Sequence, residues 1–229
     1  MACEKIRENI EQVKQNMREA CARAGRKEDD VTLIAVSKTK PLSMVEEAIS
    51  CGQMDFGENK VQEILEKQPV HPDRRWHMIG HLQRNKVKQV IDKVELIHSV
   101  DSVRLAEQIE EEAKKRGIEV KILLEVNVAR EESKFGFFLE ELMDAVETIA
   151  KLPHVHIQGL MTIAPFVENP EENRLVFRKL REVCIDIQQK NIDNVTMSVL
   201  SMGMTGDYQV AIEEGSTMIR VGTGIFGTR

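Results

Sequence analysis

The chain holds one tyrosine, one tryptophan and four cysteines in 229 residues. Cys3, Cys21, Cys51 and Cys184 are scattered and form no CxxC pair. That excludes a disulfide framework and makes a reducing cytoplasm the expected home. No apolar run approaches the ~20 residues of a membrane span. Met1 to Gly25 is charged and helix-like, without the apolar stretch of a signal peptide, so neither membrane insertion nor export is expected. There is no HExxH pattern. His77 and His81 fall on a segment, Trp76 to His81, that reads as a strand and its exit loop, whereas an i,i+4 histidine pair shares a face only on a helix; no metal site is expected. There is no basic excess either. The net charge is −6, which argues against sequence-independent nucleic-acid binding, and the one basic stretch, Arg84 to Lys93, reads as a solvated helix face. With 41% hydrophobic and 31% charged residues, the chain is expected to fold as an ordinary globule.

Strand and helix patterns alternate along it. Ile6, Ile10, Val13, Met17, Ala20 and Ala24 have helical spacing, and Gly25 supplies a stop, predicting a leading helix over 4–25. Strands are predicted near 31–37, 53–56, 75–79, 94–98, 119–126, 155–160, 195–199 and 218–221. Helices are predicted near 42–51, 59–68, 83–92, 102–116, 138–151, 172–190 and 206–214. Each strand but the last is followed by a helix, which leaves a (β/α)8 barrel or a doubly wound sheet. The first strand is followed by Ser37-Lys38-Thr39-Lys40-Pro41 rather than GxGxxG, and the length suits a barrel. The expected α/β fold is a single (β/α)8 TIM barrel, one domain over 1–229. The extra N-terminal helix would cover the place of an eighth helix.

In such a barrel the chemistry gathers at the C-terminal ends of the strands. Lys38 ends the β-branched run Val31–Val36. An amine partly out of water there has its ammonium form disfavoured, which suits Schiff-base formation; the bland alternative is a lysine whose head reaches solvent. Ser201-Met202-Gly203-Met204-Thr205-Gly206 and Gly222-Thr223-Gly224 offer hydroxyls and unhindered backbone after strands seven and eight. Together they suit a phosphate, although each alone could be a capped tight turn. Arg220 shares a face with Gly222 and points into the barrel, where it needs a partner. That partner could be a buried carboxylate or a ring acceptor of a phosphorylated aldehyde.

The segments Ile34–Lys38, Phe56–Asn59, Trp76–Lys86, Gly159–Thr162, Leu200–Met204 and Gly215–Thr223 resemble, in order and over nearly the whole chain, the pyridoxal-phosphate homeostasis protein family. That family is similar to the N-terminal barrel domain of alanine racemase, the third fold type of pyridoxal 5′-phosphate (PLP) proteins. The resemblance implies that Lys38 carries PLP as an internal aldimine and that Ser201, Gly222 and Thr223 hold the phosphate. It also implies that Arg220 faces the pyridine nitrogen and that Asn59 and Met161 line the ring. Family members often run a few residues beyond the Phe226-Gly227-Thr228 stretch near which this chain stops.

An arginine cannot take a proton from the ring nitrogen, so carbanion stabilisation by the cofactor is expected to be weak. A related racemase uses a second base, a tyrosine from another domain; the one tyrosine here, Tyr208, falls on the helix after strand seven. The expected function is therefore buffering and delivery of PLP in vitamin B6 homeostasis, without catalytic turnover. Apo PLP-dependent enzymes are the expected recipients, and a monomer is the expected state. The alternatives are a PLP-dependent racemase-like enzyme of low activity and a Schiff-base aldolase barrel.

Overall fold

The computed structural model describes residues 2–228, with side chains described over 5–228; the Cys3 side chain lies outside them. Eight parallel strands close into a barrel in sequence order. They are β1 (Thr32–Val36), β2 (Asp55–Glu58), β3 (Arg75–Met78), β4 (Leu96–Val100), β5 (Val120–Glu125), β6 (Val155–Met161), β7 (Val195–Met204) and β8 (Met218–Val221). β8 returns to β1 in the register Ile34 with Arg220 and Ala35 with Val221. The predicted barrel is therefore the observed one.

Nine α-helices are described: α1 (Ala2–Arg23), α2 (Leu42–Ser50), α3 (Val61–Lys67), α4 (Val87–Val90), α5 (Val103–Arg116), α6 (Leu139–Ile149), α7 (Arg174–Gln188), α8 (Tyr208–Glu213) and α9 (Thr223–Phe226). α1 buries Ile6, Ile10, Val13, Met17 and Ala20, the face its spacing predicted. It packs on α2, α8 and α9 and so occupies the gap in the helical ring. α5 shows why helix limits were readable: Ser102 Oγ accepts from Leu105 N, and Gly117 ends the helix in the left-handed region at φ 64°. The predicted helix near 83–92 is instead a 3-10 turn over Arg84–Lys86 followed by α4, because only Val87, Val90 and Ile91 there are buried. α9 was not predicted; β8 does not end the ordered chain.

The apolar core has two layers. Outside the strands, residues such as Phe56 and Trp76 pack against α1 and its neighbours, their rings 5.4 Å apart. Inside, Leu96, Leu123 and Met161 form a plug, with Val199 and Met218 packed against it. Ile34 and Ile79 also face inward, where a Cβ on Gly57 would meet both at 2.9 Å, and buried polar side chains such as Arg220, His98 and His77 share the interior. β7 runs five residues beyond its predicted end at 199. Its register against β8 shifts between Ser201 and Met204, and Gly203 takes φ 94° there. A Cβ on Gly203 would lie 2.6 Å from Ala211 Cβ and 2.9 Å from Tyr208 Cα, so only glycine lets the bulged strand pass so close to α8. Among the described residues, no helix is long and apolar enough to cross a membrane.

Candidate functional site

The strands open at their C-terminal ends into a mouth shaped by the β1 and β8 exits. β1 stops at Val36, Ser37 is buried, and the following turn carries Lys38. Lys38 is exposed rather than partly withdrawn from water, a correction to the expected desolvation. The turn lifts the side chain off the strand, and its ammonium group makes no hydrogen bond or ion pair among the described residues. Two other lysines, Lys40 and Lys134, are occupied. Lys40 Nζ donates to the carbonyls of Phe226, Gly227 and Thr228 at 3.0–3.3 Å, and Lys134 Nζ donates to the carbonyls of Ile163 and Ala164.

The turn is held from below. Thr39, a β-branched residue at φ 63°, is in a conformation that costs roughly 1–3 kcal/mol. Its N–H donates to Glu63 Oε2 at 2.6 Å. Lys67 Nζ donates to Glu63 Oε2, to Ser37 O and to Glu58 Oε1, the last at 2.7 Å. Ser37 Oγ donates to the same Glu58 oxygen at 2.6 Å. Glu58 Oε2 has no partner. Burial therefore outweighs Lys67 and Ser37 and pushes the Glu58 carboxyl up to about 7.

Gly222 lies over β1, where an added Cβ would sit 3.4 Å from Val36 Cβ and Val36 O. Thr223 follows, and its Oγ1 donates to Thr205 Oγ1 at 3.2 Å, while Gly224 N donates to the same oxygen at 3.3 Å. The two loops expected to face each other do meet, but through Thr205. Ser201 lies within β7, its side chain inside the barrel, bonded to Arg220 and His98. Its hydroxyl is taken up there instead of facing the mouth with Thr223. Ser201 precedes the bulge and is still in register with Met218 of β8; this pairing could not be read from the sequence alone.

Arg220 is buried with no carboxylate in contact. Its Nη1 donates to Ser201 Oγ at 2.6 Å and its Nη2 to Thr162 O at 2.9 Å. Burial pulls its pKa down to about 10, against the fields of Glu125 and Asp207, so it remains a cation at neutral pH. Glu125, buried nearby on β5, is pushed up to about 7 by burial and then by Asp101. From Ser201 a line of polar groups crosses the interior. Ser201 Oγ lies 2.8 Å from His98 Nδ1, His98 Nε2 lies 3.0 Å from His77 Nδ1, and His77 Nε2 lies 3.1 Å from Asp55 Oδ1. Arg75 closes the far end on both Asp55 oxygens. None of Asp55, His77, His98 and Glu125 was singled out as a site residue from sequence. The inward parity of each on its strand was the available signal.

Asn59 is half-buried at the β2 exit. Gly80 lets it sit there, since a Cβ on Gly80 would fall 2.5 Å from Asn59 O. Met161 is fully buried in the interior plug with Leu96 and Leu123. His81 stacks on Phe135 at 3.9 Å and bonds Asp101 at 2.9 Å. Tyr208 lies on α8, buried, its hydroxyl accepting from Asn16 Nδ2 of α1 at 2.9 Å.

A family profile described as alanine racemase, N-terminal domain, matches residues 8–229. The pyridoxal phosphate homeostasis protein of Aquifex aeolicus is 46% identical over 230 residues, covering 100% of this chain and 98% of the relative. PipY of Synechococcus elongatus, solved with PLP bound, superposes with a TM-score of 0.84 at 35% identity, covering 97% of this chain and 100% of that one. Alanine racemase from Corynebacterium glutamicum superposes with a TM-score of 0.76 at 14% identity, covering 99% of this chain and 62% of that one; this likeness is one of fold.

Proposed function

The chain belongs to the pyridoxal phosphate homeostasis protein family, and from that premise we propose that it binds PLP and stores or delivers it without turning over a substrate. The observation that carries the reading is the placement of Lys38. It is an exposed amine with no partner among the described residues, on the turn after β1 and beside the Gly222–Thr223 loop, with buried Arg220 further down on neighbouring β8. The residues fit the cofactor. Gly222, Thr223 and Thr205 offer hydroxyls and backbone at the mouth for a phosphate. Arg220 already bonds only neutral acceptors, which is what a neutral pyridine nitrogen is. When bound, the cofactor supplies a reactive aldehyde and an electron-withdrawing ring. Lys38 is the amine that holds the aldehyde covalently. Asn59 flanks the ring at the β2 exit, Met161 forms the floor below it, and Ser201 acts by holding Arg220.

Two features favour storage over catalysis. Arg220 stays charged and takes no proton from the ring nitrogen, so it keeps the ring a weak electron sink. Tyr208, the one tyrosine in the chain, is committed to Asn16 between α8 and α1 and does not serve as a second base. The recipients are apo PLP-dependent enzymes, and the protein acts as a cytoplasmic monomer. The test is to load the protein with PLP, mix it with an apo-transaminase and follow recovery of that enzyme's activity, while assaying the loaded protein alone with a panel of amino acids. Recovery without intrinsic turnover is expected. Turnover of one amino acid at ordinary enzyme rates, roughly 1–10³ per second, would overturn the reading in favour of a racemase-like enzyme.

A further inference from the structure

The polar line through the barrel leaves little freedom in where its protons sit. Arginine only donates, so Ser201 Oγ accepts from Arg220 Nη1. The Ser201 hydroxyl proton then has one partner on the line, His98 Nδ1 at 2.8 Å. If His98 Nδ1 carried a proton instead, a buried hydroxyl would lose its acceptor, and a buried donor without a partner is costly. At the other end, burial pushes the Asp55 carboxyl up, but hydrogen bonds from Arg75 and His77 outweigh it and hold it below the usual range. Asp55 is therefore an acceptor only, and His77 Nε2 must carry the proton it gives. Between the rings, His77 Nδ1 and His98 Nε2 are 3.0 Å apart. One proton satisfies both if His98 donates.

We propose that His77 and His98 are both neutral Nε2–H rings in a one-way relay from Arg220 through Ser201 to Asp55, and that this relay makes His98 the positioning residue for Arg220. All five groups are satisfied, each imidazole uses both nitrogens, and no charge is added to the interior. The competing arrangement, with His77 doubly protonated and His98 donating to Ser201, puts a third cation between Arg75 and Arg220 and orphans the serine proton. Burial, the largest cause, holds His98 well below the ordinary histidine range, which agrees with a neutral His98 ring. Successive bonds pointing the same way polarise one another. Asp55, at the N-terminal end of β2, thereby supports an arginine it never touches. The relay also accounts for a buried guanidinium with no carboxylate in contact: its nearest hydrogen-bonded counter-charge is Asp55, reached through three neutral groups.

The role at the cofactor rests on the proposed PLP reading; the proton arrangement does not. Long-range ¹H–¹⁵N correlation on the full chain, histidine-labelled, cofactor-free and at pH 7, reads both rings directly. Two neutral Nε2–H rings are expected. A neutral Nδ1–H ring or a doubly protonated ring at either position would overturn the relay, whether or not the protein binds PLP. The positioning role is read with two variants. His98→Gln keeps one acceptor and one donor, and His98→Leu removes both. PLP dissociation constants are expected to stay near wild type for glutamine and to rise about tenfold or more for leucine. Equal binding by the two variants, tight or weak, would assign His98 to packing alone. If the leucine variant does not fold, the tautomers in the wild-type chain decide the matter.

Discussion

Ser201 and Arg220 are bonded to each other inside the barrel, Oγ to Nη1 at 2.6 Å. Each thereby settles what the other can do. The serine hydroxyl is spent on the arginine and on His98, so the mouth is left with the Thr205–Thr223 pair as its hydroxyls. The arginine in turn is held by a hydroxyl and a carbonyl, not by a carboxylate. It keeps its full charge and a fixed orientation without an ion pair that would compete for it.

Replacing Lys38 by alanine is expected to abolish covalent PLP while leaving the fold intact. The side chain is exposed and unpartnered, so stability should change by no more than about 0.5 kcal/mol. Intact mass after borohydride reduction in the presence of PLP checks the first point, and thermal melting checks the second. A reduced adduct of unchanged yield in Lys38→Ala would refute the assignment.

Variants of the threonine pair are expected to separate phosphate recognition from ring recognition. Thr205→Val and Thr223→Val each remove a hydroxyl that can bond a charged oxygen, worth about 1.5–3 kcal/mol. PLP affinity should drop by roughly 10–100-fold, whereas pyridoxal, which has no phosphate, should bind the variants and the wild type alike. Equal losses for both ligands would place the phosphate elsewhere.

Arg220→Glu should fold poorly. It would set a further carboxylate near Glu125, already pushed up to about 7, and would turn it toward the Thr162 carbonyl that now accepts from Arg220. An uncompensated buried charge costs about 3–5 kcal/mol. Urea denaturation should show a loss of that order, and a smaller loss for Arg220→Lys. A glutamate variant as stable as the wild type would mean that the interior around Arg220 is far wetter than its burial implies.

Stability should fall as pH rises from about 4.5 to 7. Glu58 and Glu125 both stand at about 7 in the folded chain, above the ordinary carboxylate range of the unfolded one. Across that window the folded state binds more protons, so their contribution is fully present below it and is lost as pH climbs through it. Glu58→Gln keeps an acceptor for Ser37 and Lys67 and cannot ionise. Its decline between pH 5 and pH 7.5 should be smaller than that of the wild type by roughly 1–3 kcal/mol. Denaturant midpoints at the two pH values measure the difference, and parallel curves would show that Glu58 is ionised throughout.

The architecture was legible because its signals are local. A β-branched run, a helical stripe and a glycine or proline stop each lie within a dozen residues, and eight such repeats in 229 residues leave few folds to choose from. The α1 face from Ile6 to Ala20 is the plainest case, since spacing alone named the residues that are buried. Lys38, Gly222 and Thr223 could be put forward from sequence for a similar reason: a lysine at a strand end and a glycine-rich exit are short motifs.

What the sequence could not settle depends on register and on pairs distant along the chain. Whether Lys38 is buried or exposed turned on where β1 stops, a matter of one or two residues. Ser201 on β7 has its hydroxyl inside the barrel, bonded to side chains from β4 and β8, and only closure of the sheet brings those strands together. His98 and Ser201 are 103 residues apart, and no local pattern marks either as the other's partner. The linear order of residue types determined the barrel and the rim that carries the amine. Closure of the sheet, which brings inward-facing side chains from distant strands into one space, decided which buried polar groups come within bonding distance of one another.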